Sequence, residues 1–187
     1  MHDRTSFTQF ARRIRDHIGQ DHRYAHSVRV ARCAATLARR HGVDSGKARL
    51  AGMLHDLARL YTPERLLAEC EARNLPIGAA EREHPMLLHA RLGAALARER
   101  FGVDDRDVLS AIEKHTSGAE QMSPLDCVVY LADSLEPQRT FRERSELWEF
   151  ALRDLAGATR ETMRVTALHH LRKRQRARAQ GEVPSLP

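Results

Sequence analysis

"AGMLHDLARL", residues 51–60, sets His55 and Asp56 side by side within an otherwise apolar helical pattern. Burying even a neutral polar group without a hydrogen bond costs roughly 2–7 kcal/mol. A helix with this pattern therefore exposes the pair or buries it against a partner. An adjacent His and Asp cannot decide between the two alone, so the answer lies in the rest of the chain.

The same conflict recurs on four other helical stretches. His26 shares its face with Val30, Cys33, Ala34 and Leu37, and His89 shares one with Leu92, Gly93 and Leu96. His115 closes "VLSAIEKH" on the face of Val108, Ala111 and Ile112, and Asp133 ends "LDCVVYLAD" beside Val129 and Tyr130. His55 aligns with Ala51 and Ala58, with Asp56 about 100° further around the helix. Gly93 on its stripe lets a backbone or ligand approach closely. A divalent cation resolves the conflict, because imidazole nitrogens and carboxylate oxygens become its ligands. His26, His55, Asp56, His89, His115 and Asp133 exceed the needs of one four-coordinate site, so two metals sharing a carboxylate are expected, with iron, manganese, zinc or cobalt suited to the donors. Among the other histidines, His22 and His84 fit a pocket rim, while His17 and His41 are expected to face solvent.

The elements around these residues read as helices throughout. Patterns with helical period cover about 5–18, 24–40, 45–60, a stretch from Pro63, 85–100, 105–115, 124–135 and 145–174, the last continuing or breaking near Gly157. Gly42 and Gly102 close two of them, and Thr62 caps the fourth ahead of Pro63. No stretch alternates with period two, and only 5% of residues are aromatic, which favours helix over sheet. The expected fold is an all-α bundle of about eight helices, one domain over residues 1–174, followed by a basic, flexible tail at 175–187.

Composition excludes some classes and leaves others open. No apolar run is long enough to span a membrane, and the N-terminus lacks a signal-peptide core, so a cytoplasmic protein is expected. Three separated cysteines without a CxxC pair argue against a disulfide framework or thiolate zinc site. The net charge of +6 suits nucleic acid and a small polyanion equally. A basic nucleic-acid-binding module would leave the inward histidines and aspartates unexplained, so no nucleic-acid partner is expected.

The order His, His-Asp, His, His, Asp on successive helices resembles the HD superfamily of metal-dependent phosphohydrolases. The phrases "RYAHSVRVA", "KARLAGMLHDLAR", "LLHARLGAALARERFGV", "AIEKHTSG" and "MSPLDCVVYLADSLEPQR" are similar to its YqeK-type subfamily, the bacterial symmetrical bis(5'-nucleosyl)-tetraphosphatases. The resemblance covers about residues 20–160. It implies an HD-domain helical bundle that splits diadenosine tetraphosphate into two ADP. It also implies a di-iron centre held by His26, His55, Asp56, His89, His115 and Asp133. Asp56 is the expected bridging ligand, and His55 and Asp56 together form the catalytic pair. Arg23, Lys114, Thr116 and Arg139 are the candidates for holding phosphates. Ala90 and Arg91 replace the family's glycine and proline after the third histidine, and Lys114 stands where another residue is common. Other HD phosphohydrolases act on nucleoside monophosphates, cyclic dinucleotides or guanosine polyphosphates, and the phrases around His89 and His115 separate this chain from them. A homodimer is compatible with the resemblance, but no exposed apolar stripe locates an interface.

Overall fold

A computed structural model describes residues 2–179, and among them the secondary structure is helical with no strand. The helices are α1 (His2–Ile18), α2 (Asp21–Arg40), α3 (Ser45–Leu54), α4 (Pro63–Ala72), α5 (Ala79–Glu83), α6 (Leu88–Phe101), α7 (Arg106–Lys114), α8 (Pro124–Leu135), α9 (Arg144–Ala151) and α10 (Leu155–Ala179), with a single 3-10 turn at Pro85–Leu87. Helix α8 is buried on nearly every side, the mark of a central helix. Helices α2, α7 and α10 pack on it, α3 lies along α2, and α6 lies along α7. Leu37, Leu54, Leu92, Ile112 and Leu131 fill the space between them and are fully buried.

Start and stop signals act where the sequence puts them. Thr62 Oγ1 accepts from the Arg65 amide at 3.3 Å and caps α4. Ser123 and Asp126 form a capping box at the start of α8. Gly42 and Gly102 both take φ of +68°, a left-handed conformation that ends α2 and α6 without steric cost. The helix count exceeds eight among the described residues, for two reasons. Helix α5 is a five-residue piece with no apolar stripe. The last expected helix is two, because Asp154 Oδ1 accepts from the Gly157 amide at 2.9 Å and starts α10 afresh. The break thus falls just before Gly157. Helix α10 runs on to Ala179, and the rest of the basic tail lies outside the described residues.

The largest departure concerns the opening stretch itself. Helix α3 ends at Leu54 rather than near Leu60, so His55 and Asp56 follow the helix instead of sitting inside it. The His55 ring takes the carbonyl that a continuing helix would need: Nδ1–H donates to Gly52 O at 2.8 Å. The chain then tightens into three-residue turns, with Leu57, Arg59 and Tyr61 amides bonded to Leu54, Asp56 and Ala58 carbonyls. Gly93 of α6 makes room for this turn, since a Cβ there would lie 3.2 Å from His55 O.

Candidate metal centre

Each clustered histidine is held by its Nδ1 edge. His55, His89 and His115 donate Nδ1–H to the carbonyls of Gly52, Met86 and Ile112, at 2.8, 2.5 and 2.7 Å. A carbonyl only accepts, so these rings carry their proton on Nδ1 and present Nε2 to the interior. His26 turns Nδ1 to Glu136 Oε1 at 3.2 Å. All four histidines are buried, each residue at 6% exposure or less.

The four Nε2 atoms surround two carboxylates. Asp56 faces two pairs of rings with two different oxygens: Oδ1 lies 3.5 and 3.7 Å from His89 and His115 Nε2, and Oδ2 lies 3.9 and 3.6 Å from His26 and His55 Nε2. Asp133 Oδ1 is 3.0 Å from His26 Nε2 and 3.7 Å from His55 Nε2. Three overlapping triads, each with ligand atoms within 4.8 Å of one another, can hold a metal: His26–His55–Asp56, His55–His115–Asp133 and Asp56–His89–His115. All six residues singled out in the sequence are thus brought together.

The chemistry of this donor set fits a cation. Lone pairs face lone pairs, and the buried Nε2 atoms of His26 and His55 have no hydrogen-bond partner. The groups that relieve the cluster stand at its edge. Thr116 Oγ1 lies 3.0 Å from Nε2 of both His89 and His115. Arg23 approaches Asp56 Oδ2 at 3.7 Å, and Arg139 donates to both the carbonyl and the carboxylate of Asp133. Lys114 is the exception among the expected phosphate holders. Its ammonium is engaged by Asp126 Oδ2 at 2.8 Å and by Gln121 O at 3.1 Å, so its charge serves the α7–α8 junction rather than the cluster. Arg91 likewise ties Pro76 O and Glu81 to Glu113.

Three residues escaped the sequence reading. Glu136, buried at 3%, lies three residues after Asp133 on the same helical face, a spacing that could have exposed it. Arg29 anchors it through Nε at 2.7 Å. Arg59 lines a cleft beside Asp56 together with Arg23, Ile18, Leu60 and Tyr61. His17 and His41, expected at the surface, are half-buried and bonded to the carbonyls of Leu57 and Ala151.

Electrostatics follow from the burial. Desolvation pushes the His55 and His89 imidazoles down to about 4, so both are neutral at physiological pH. Burial alone would raise the two aspartates, but the imidazoles and the guanidinium around them outweigh it. His55 and His115 hold Asp56 below the usual carboxylate range, and His26 and Arg139 hold Asp133 well below it. Burial also opposes charge on His115, yet Asp56 and Asp133 lift it above its ordinary value. A metal binding at His115 must therefore compete with a proton held more tightly than on a free imidazole. Metal uptake is expected to release that proton and to tighten as pH rises through and above the ordinary imidazole value of about 6.5. A competition titration across that range checks this, and pH-independent affinity would contradict it.

An all-helical shell around a buried His and Asp cluster is the architecture of a metal-dependent hydrolase. Residues 23–138 match the HD domain model, and the chain belongs to that family. It is 37% identical over 155 residues to the symmetrical bis(5'-nucleosyl)-tetraphosphatase of Bacillus subtilis (strain 168), covering 83% of each chain. A protein of the same name from Halalkalibacterium halodurans is 36% identical over 83% of this chain and 82% of its own. The fold is similar to a crystal structure from Clostridium acetobutylicum, described as a predicted HD superfamily hydrolase involved in NAD metabolism. That similarity has a TM-score of 0.79 at 31% identity and covers 95% of this chain and 90% of the other. Among the described residues no helix is long and apolar enough to cross a membrane.

Proposed function

We propose that this protein hydrolyses diadenosine tetraphosphate symmetrically, giving two ADP, at a two-metal centre held by His26, His55, Asp56, His89, His115 and Asp133. The observation that carries the reading is the convergence of four histidine Nε2 atoms on two carboxylates, with the buried Nε2 atoms of His26 and His55 left without a hydrogen-bond partner. The two relatives named as symmetrical tetraphosphatases supply the substrate class. Iron is the first choice of metal, with manganese, cobalt and zinc as alternatives, since histidine and carboxylate ligands without cysteine suit all four.

Divalent ions bound there supply positive charge for phosphoryl oxygens and acidify a water to near-neutral pKa. Asp56 would help to hold both ions in this reading, because its two oxygens face different histidine pairs. A tetraphosphate carries about four negative charges, so the reaction needs electrostatic relief more than covalent help. Arg23, Arg139 and Arg59, at the mouth beside Asp56 and Asp133, bind that charge and turn the chain of phosphates toward the cluster. Thr116 Oγ1, beside His89 and His115, donates a hydrogen bond to a phosphate oxygen. Water forms a bond to one inner phosphorus as the central bridging P–O bond breaks, and the protons of that water pass to solvent. The departing ADP leaves as an anion stabilised by the arginines and needs no proton from the protein.

The test is product analysis. Protein reconstituted with Fe²⁺, Mn²⁺ or Co²⁺ is expected to convert diadenosine tetraphosphate to ADP alone. ATP with AMP, or no turnover with any of these metals, would overturn the assignment.

A further inference from the structure

His26 differs from the other clustered histidines in what holds its ring. The other three use a carbonyl three residues earlier in the chain. His26 uses a carboxylate 110 residues away, Glu136. Both oxygens of Glu136 are fully engaged: Oε2 accepts from Arg29 Nε at 2.7 Å and the Gln138 amide at 2.9 Å, while Oε1 also accepts from an Arg29 terminal nitrogen at 3.3 Å. Holding a buried carboxylate this way is a weak source of stability by itself.

Two carboxylates compete for the proton of His26. Asp133 Oδ1 lies 3.0 Å from Nε2, and Glu136 Oε1 lies 3.2 Å from Nδ1. If the proton sat on Nε2, it would bond Asp133 and leave His26 without a lone pair facing the cluster. We propose that Glu136 is a positioning residue that fixes His26 as its Nδ1–H tautomer and aims the Nε2 lone pair at one of the two metal positions. The inference rests on the two-metal reading above. Carboxylate partners of this kind orient ligand imidazoles and raise their basicity.

Glu136→Gln is the test, because the anchoring donors choose the amide's orientation. Arg29 Nε and the Gln138 amide both point at the Oε2 position, so the amide oxygen settles there and its NH2 faces His26 Nδ1. His26 must then accept at Nδ1 and carry its proton on Nε2. Imidazole 15N spectra of the metal-free protein are expected to show this switch, and Glu136→Asp, which keeps an anionic acceptor, is expected not to switch. Competition with a chelator for Mn²⁺ is expected to show one ion bound about 10–100-fold more weakly in Glu136→Gln and the other unchanged. Glu136→Gln with unchanged tautomer and Mn²⁺ affinity would overturn the proposal, as would wild-type His26 with its proton on Nε2. That wild-type spectrum decides even if the variant fails to fold. Wild-type protein that binds no Mn²⁺ would sink the two-metal reading instead, while the tautomer switch still tests the role of Glu136.

Discussion

Asp56→Asn is expected to lower symmetrical hydrolysis of diadenosine tetraphosphate by about 10²–10³-fold, the scale set by losing one preorganised charged group in a dry site. The amide matches the carboxylate in size, so helical content by circular dichroism should stay at the wild-type value. It differs in charge and in offering only one acceptor oxygen. Asp56 now turns Oδ1 to His89 and His115 and Oδ2 to His26 and His55. An amide keeps an acceptor toward one pair and presents NH2 to the other. Metal content should therefore fall together with activity, and elemental analysis of the same preparation checks that. Turnover within tenfold of wild type at full metal content would remove Asp56 from the centre of the mechanism.

Gly52→Val is expected to destabilise the fold by about 3 kcal/mol or more, because overpacking against backbone cannot be relieved by rotating a side chain. At about 2–4 °C per kcal/mol for a chain of this size, Tm should drop by about 6–12 °C. A Cβ at Gly52 would lie 2.8 Å from Ala31 Cα and 3.0 Å from Ala31 N, both in the backbone of α2. Helix propensity alone argues the other way, since glycine inside a helix costs about 0.5–1 kcal/mol relative to alanine. The contact is the larger effect, so the sign of the change in Tm tests the α2–α3 packing. An unchanged or raised Tm on thermal denaturation would show that the two helices do not approach this closely. The consequence reaches the site, because α3 delivers His55 and Asp56 while α2 carries His26.

Five of the six clustered residues were legible because each falls on an apolar stripe of the sequence pattern, which a helical period turns inward, and Asp56 was reached as the neighbour of His55. His26 and Asp133 belong to long, regular helices, where that argument is strongest. The end of α3 at Leu54 was not legible. It depends on His55 taking the Gly52 carbonyl and on Gly93 admitting the turn, both fixed by the site and a distant helix. The engagement of Lys114 was hidden for a similar reason. Its partner Asp126 lies twelve residues ahead, in the capping box that starts α8. Glu136 was readable in principle from its spacing to Asp133. Its meaning depends on Arg29 and His26, which only the α2–α8 packing brings to it.

The most direct test of the central claim is the anomalous-difference density from a crystal of the protein loaded with Fe²⁺ or Mn²⁺. Two peaks are predicted, about 3.5–4 Å apart as in two-metal hydrolases, enclosed by His26, His55, Asp56, His89, His115 and Asp133, with Asp56 between them. A map with no peak among those six side chains, or with the metal bound elsewhere on the chain, would contradict the account.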